Sequence, residues 1–271
     1  MHNSQYHSHW KYTLLIRASI ATHLVALCVM IIAPAQWTWA VTAVVVNHLI
    51  LSAIGLWPRS TWLGQNWSRL PAAATARNEI ALTIDDGPDP IVTPQVLDIL
   101  DKHAVKATFF CIGDKAALHP NLCREIIRRG HTIENHSQRH PLYFSLLGPN
   151  GFRREIQAAQ TTISAITGQT PVFFRAPAGL RNPLLAPVLI QLGLTLASWS
   201  VRGFDTQVTD PKKISDKLLH NLNAGAILLL HDGNAARSSD GVPVILEVLP
   251  NVLTYAKAKQ LHLVTLRHAL T

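Results

Sequence analysis

The run Ile80-Ala81-Leu82-Thr83-Ile84 is apolar and ends abruptly in two adjacent carboxylates, Asp85 and Asp86, followed by Gly87-Pro88-Asp89-Pro90. A short apolar run closed by Gly and Pro reads as a buried strand and the loop that leaves it. A strand buried on both faces belongs in a parallel sheet covered by helices. Two neighbouring acids at the mouth of such a strand repel each other and lose hydration unless a positive group sits beside them. A divalent metal is the usual answer, because carboxylate oxygens ligate it well. Taken alone, the same residues also read as a helix N-cap and a solvated loop acid.

The rest of the chain to Thr271 alternates in the same way. The spacing predicts helices over 93–103, 120–129, 152–167, 183–192, 211–222 and 242–259, and strands over 107–112, 131–134, 172–174, 194–199, 226–230 and 262–265. About seven such units point to a (β/α) barrel rather than an open sheet, with its active site at the C-terminal ends of the strands. The polar residues obey that rule: Asp85 and Asp86 end one strand, His136 and His140 follow another, and Arg175, Asp205 and His231 follow three more. His136-Ser137-Gln138-Arg139-His140 sets two imidazoles four apart, which on a helical turn share a face and grip one metal. With Asp86 they make a His₂-carboxylate set with open positions, the form of a catalytic zinc site.

The N-terminal third differs. Residues 12–33 and 37–57 are two apolar runs, each about the ~20 residues a bilayer helix needs, separated by Pro34-Ala35-Gln36. Trp37, Trp39 and Trp57 stand at run ends, where an interfacial belt places them. The expectation is a two-helix membrane anchor, with a cleaved signal peptide as the rival reading of the first run. Asn47 and His48, mid-run, are expected to face the partner helix. Lys11 and Arg17 flank the first run, Arg59, Arg69 and Arg77 follow the second, and the turn has no Lys or Arg. Both ends, and the catalytic domain, are therefore expected on the cytoplasmic face of a bacterial inner membrane, or in the periplasm if only one run inserts. Residues 58–78, with Trp62 and Trp67, read as a linker along the membrane surface, and the tail 1–11 with His2, His7 and His9 as disordered. The formal charge is +8, yet no dense basic block exists, so nucleic acid is not an expected partner. Cys28, Cys111 and Cys123 have no metal-type spacing and read as small buried hydrophobes or, for Cys28, as part of an apolar helix.

The segment 79–271 resembles the NodB-homology polysaccharide deacetylases, carbohydrate esterase family four. The resemblance rests on Thr83-Ile84-Asp85-Asp86-Gly87, on His136 to His140, on Arg175-Ala176-Pro177-Ala178-Gly179, on Asp205, and on Leu228-Leu229-Leu230-His231. It implies a distorted (β/α)7-type barrel and a metal, zinc by ligand type, held by Asp86, His136 and His140. It further implies Asp85 as general base toward a metal-activated water, Arg175 pairing with Asp85, and the backbone N–H of Ala178 in the oxyanion site. His231 would protonate the leaving amine and Asp205 would orient His231. The substrate implied is an N-acetylated saccharide. The same site would also suit a formamido sugar, and a barrel used only for binding is the non-enzymatic alternative. Ile84 stands where Phe is usual, a packing change. Ala178 and Thr206 stand where aromatic residues are common, so the groove offers polymeric sugar less stacking surface. Together with the apolar hairpin, this makes a lipid-linked or short glycan near the membrane the expected substrate, and membrane lipid an expected partner.

Overall fold

In a computed structural model, residues 12–271 are described. The histidine-rich tail falls outside them. Helices α1 (Leu14–Ile32) and α2 (Trp37–Gly55) form a hairpin through the turn at Pro34–Gln36. The Asn47 side-chain amide donates to Ser19 Oγ at 2.9 Å, and His23 Nε2 lies 3.3 Å from His48 Nε2. Asn47 and His48 thus face the partner helix, which satisfies polar groups that an apolar surround would leave unpaired. Both helices are long and apolar enough to cross a membrane, and only 17% and 22% of their apolar windows are buried. Most of their Leu, Ile, Val and Trp side chains are covered by nothing among the described residues, unlike those of a soluble core helix.

A short helix, α3 (Ala72–Ala76), precedes the sheet. Then come β1 (Glu79–Asp85), α4 (Val92–Lys102), β2 (Thr108–Cys111), α5 (Gly113–Leu118), α6 (Pro120–Arg128) and β3 (Thr132–Asn135). They are followed by α7 (Pro149–Thr167), β4 (Phe173–Phe174), α8 (Leu185–Gln191), β5 (Thr195–Leu196) and β6 (Val201–Arg202). The chain ends with α9 (Pro211–His220), β7 (Ile227–His231), α10 (Val244–Ala258) and β8 (His262–Val264). The strands run β5-β4-β3-β2-β1-β7-β6, with β8 added beside β1, and every pairing is parallel. The sheet curls into a distorted half-barrel. β1 and β7 are buried along their whole length, as uninterrupted apolar runs require. The outer helices pack Val96, Leu97, Ile126, Val248 and Val252 against it, all fully buried.

Residues 58–78, expected as a linker, are packed onto the barrel. Leu63, Leu70 and Ala74 are buried, and Trp67 packs edge-on against Phe173 at 5.2 Å. The Trp67 N–H donates to the Leu196 carbonyl, the Trp67 carbonyl accepts from Ser198, and Leu70 N–H donates to Gly225. This segment lies against the open edge of the sheet, where β5 and β6 are only two residues long. Its backbone satisfies ladder groups that would otherwise face solvent unpaired. Trp62 remains exposed.

Candidate active site

Register builds the site. Asp85, the last residue of β1, pairs with His231, the last residue of β7, and with Phe110 on the other side. Base and acid candidates therefore leave adjacent strands at the same height. The chain then turns sharply at each strand end. Among the described residues, eight that are not glycine have positive φ, and five of them are Asp86 (72°), Ser137 (64°), His140 (54°), Ala178 (54°) and Phe204 (63°), all on or beside motif residues. Such backbone is unfavourable for L-residues and persists where surrounding structure over-determines it, most often at functional sites.

His136 and His140 do not share a helical turn. Residues 136–140 are an irregular loop. Asn135 Oδ1 accepts from Ser137 N–H at 2.9 Å, and Ser137 Oγ accepts from His140 N–H at 3.1 Å. These local bonds hold an αL turn in place of a helix and still bring the two rings together, centroids 4.8 Å apart.

Asp86, His136 and His140 offer ligand atoms all within 4.8 Å of one another. Their chemistry fits a cation. His136 Nδ1 lies 2.8 Å from the Arg175 carbonyl, so Nδ1 carries the proton and Nε2 presents a bare lone pair. That Nε2 faces Asp86 Oδ1 at 3.2 Å, and His140 Nε2 faces the same oxygen at 3.4 Å. Asp86 Oδ1 is buried without a hydrogen-bond partner. Electron-pair donors converging on one point, with no proton between them, are stable only around a positive ion. Burial alone would push the Asp86 carboxyl up; a protonated His136, by its bond and charge, together with the charges of His231 and His140, would hold it well below the usual carboxylate range. Burial, helped by the charge of His136, pushes His140 down to about 4, which keeps it a neutral ligand at pH 7. A His136→Gln variant is expected to retain its fold and lose stoichiometric metal, as read by elemental analysis of the purified protein.

Asp85 stands beside this set but outside it. Its Oδ1 accepts from Arg175 Nη1 at 2.7 Å, and its Oδ2 lies 3.9 Å from His136 Nε2. Arg175 is fully buried, and it also donates to Thr83 Oγ1, Ala197 and Ser198 while lying 4.1 Å over the Phe110 ring. Across the register, Asp205 takes His231 Nδ1 on Oδ1 at 2.9 Å and His231 N–H on Oδ2 at 2.7 Å. Burial opposes a charged His231, but the Asp205 bond and the charges of Asp205, Asp85 and Asp86 outweigh it and raise its pKa. Ala178 lies in the turn Pro177–Gly179 that follows Arg175. All eight residues read from the motifs thus occupy one rim of the half-barrel.

Three residues support this rim: Asp232, which the sequence places beside His231 at the strand end, and Thr93 and Lys115, which carry no motif. Asp232, directly after His231, is buried and accepts from Thr93 Oγ1 at 2.5 Å. Thr93 in turn accepts from Asp89 N–H at 2.7 Å, so the loop after Asp86 is fastened to the end of β7. Lys115 Nζ donates to the carbonyls of Asp86 (2.8 Å) and Gly233 (3.2 Å). A side chain at Gly233 would strike the Asp86 carbonyl. The His-Asp-Gly sequence at the strand end was the available signal. Burial pushes the Asp232 carboxyl up to about 7, Thr93 opposing and the Asp86 charge adding to it. Asp232 is then protonated in the fold but ionised in the unfolded chain between about pH 4 and that value, so the folded state binds the extra proton and loses stability as pH rises through this window. Thermal melts of chelator-treated protein are expected to show this slope, and Asp232→Asn to flatten it.

A family model described as polysaccharide deacetylase matches residues 72–197. A chitooligosaccharide deacetylase of Sinorhizobium fredii is 36% identical over 165 residues, covering 60% of this chain and 76% of that protein. A peptidoglycan-N-acetylglucosamine deacetylase of Bacillus cereus is 31% identical over 202 residues, covering 72% of each. Among solved structures, the peptidoglycan deacetylase PdaC of Bacillus subtilis superposes with a TM-score of 0.63 at 29% identity, covering 71% of this chain and 89% of that one. Fold, motif order and these relatives agree: the chain belongs to the polysaccharide deacetylase family, hydrolases of carbon–nitrogen bonds in N-acylated sugars.

Proposed function

We propose that the chain is a membrane-anchored, metal-dependent deacetylase that removes N-acetyl groups from an amino sugar carried on lipid or in a short envelope glycan. The observation that carries the reading is Asp85: a carboxylate aimed by Arg175, beside the Asp86/His136/His140 cluster yet not part of it. A binding module needs no such group. A divalent ion held by Asp86, His136 and His140, zinc by ligand type, would acidify a bound water and polarise the acyl carbonyl. Asp85 takes the proton from the attacking water, with Arg175 holding it in place through the bond to Oδ1. The Ala178 N–H would donate to the developing oxyanion. His231 gives its proton to the leaving nitrogen, and Asp205 fixes its tautomer and balances its charge.

The apolar hairpin favours a substrate at the membrane. Leu142 and Leu146, 97% and 82% exposed, lie on the loop that follows His140, an apolar rim beside the site. By the distribution of Lys and Arg, both helix ends lie in the cytoplasm, and a C-terminal reporter active only outside the cytoplasm would reverse that placement. The function is tested by mass spectrometry of envelope glycans and glycolipids from cells carrying the wild-type chain or Asp85→Asn. One acetyl group retained on a named species in the variant is the expected result. A retained formyl group would reassign the acyl group, and no difference would remove the activity.

A further inference from the structure

Two arginines are buried near this site, and they are in opposite states. Arg175 spends its guanidinium on Thr83, Asp85, Ala197 and Ser198. Arg181, only 3% exposed, donates Nη2 to the Ser60 carbonyl, while its Nε and Nη1 have no partner. No carboxylate among the described residues pairs with it. Burial lowers its pKa only to about 10, so it is a cation at neutral pH. A buried guanidinium with unfilled donors and no counter-charge is unfavourable, and because its Nε and Nη1 are closed to solvent an anion reaches them only as the side chain turns toward the cavity.

The cavity that Arg181 lines, about 480 Å³, lies between α2 and two loops of the barrel rim. One loop carries Ser145 and Leu146 and begins at His140. The other carries Arg181 and Leu184 and begins at Ala178. Chain length alone keeps Arg181 within about 11 Å of Ala178, the reach of a short saccharide. The far wall is Leu51 and Leu56 of the α2 end, part of a helix whose apolar surface is otherwise bare. The helix is seated tightly there: Arg181 N–H donates to the Gly55 carbonyl, and a Cβ at Gly55 would strike the Arg181 carbonyl. An occupant must therefore be anionic where it meets Arg181 and apolar where it meets α2.

We propose that this cavity is the seat of a lipid phosphate, its phosphate group paired with Arg181 and its hydrocarbon chain lying against Leu51 and Leu56. The inference rests on the lipid-linked reading above and assigns the residue that recognises the carrier. Phosphate at Arg181 and sugar over Asp85 would then belong to one substrate, with the hairpin presenting it from the membrane.

The test uses the full chain in dodecyl maltoside and three probes: dodecyl phosphate, dodecanol and inorganic phosphate, titrated by calorimetry. Dodecyl phosphate is expected to bind the wild-type chain, with Arg181→Gln weakening it at least about tenfold. Leu184→Glu, at a half-exposed position on the cavity wall, is expected to weaken it comparably without touching the core. Unchanged affinity in both variants would overturn the proposal. So would inorganic phosphate binding as tightly as the lipid form, or dodecanol binding as tightly as either. Asp85→Asn is expected to bind dodecyl phosphate as wild type does. If Asp85-dependent deacetylation stands and dodecyl phosphate fails to bind, the cavity assignment falls alone. If binding stands and no deacetylation depends on Asp85, the proposed function falls instead.

Discussion

Replacing Asp85 by asparagine is expected to lower kcat for acetate release about a thousandfold, within the usual range for loss of a general base, while KM and metal content change little. The amide keeps the shape of the carboxylate and still offers one oxygen to Arg175 Nη1, now 2.7 Å from Asp85 Oδ1. The basic oxygen facing the ligand cluster, Oδ2 at 3.9 Å from His136 Nε2, becomes an NH₂ that cannot take a proton. Alanine is the poorer test, because it also strips Arg175 of its carboxylate partner and mixes a folding defect into the rate. Single-turnover acetate release and elemental analysis on the same sample separate the outcomes. A normal rate with normal metal would take Asp85 out of proton transfer. A lost rate with lost metal would move it into the ligand set.

The strand-end residues were legible from sequence for a physical reason. A strand buried on both faces has no use for a charge, so Asp85, Asp86 and His231 mark the point where the parallel sheet stops and the site begins. What sequence could not show depends on contacts between distant segments. The loop 136–140 is αL at Ser137 and His140 because Asn135 and Ser137 side chains capture its N–H groups, whereas the His-x-x-x-His spacing by itself fits a helix equally well. The segment around Trp67 has linker composition, yet it pairs with Leu196 and Gly225, more than 120 residues away in the chain. Asp232 looked like one more strand-end acid until Thr93 closed over it. Arg181 has no motif around it at all. Its character comes from being walled in by the end of a helix that belongs to the anchor.

Arg175→Met is expected to destabilise the fold by about 3–5 kcal/mol, the usual result of breaking one side of a buried pair, which is a fall of roughly 10 °C in melting temperature for a domain of this size. Methionine fills much of the arginine's volume over Phe110, where the guanidinium carbon now lies 4.1 Å from the ring centre, so lost packing is a small part of the effect. The main part is Asp85, 3% exposed, left as a buried carboxylate with no cation against it. The carbonyls of Ala197 and Ser198 lose their donors as well. This account separates from a simple packing defect in one measurement. In the double variant Arg175→Met with Asp85→Asn no unpaired charge remains, so it is expected to recover part of the lost stability relative to Arg175→Met alone. If the double variant melts lower still, by the sum of the two single effects, the ion pair is not what holds this rim together. The same side chain that aims the base would then be shaping the site only through its backbone carbonyl, which accepts from His136 Nδ1 at 2.8 Å.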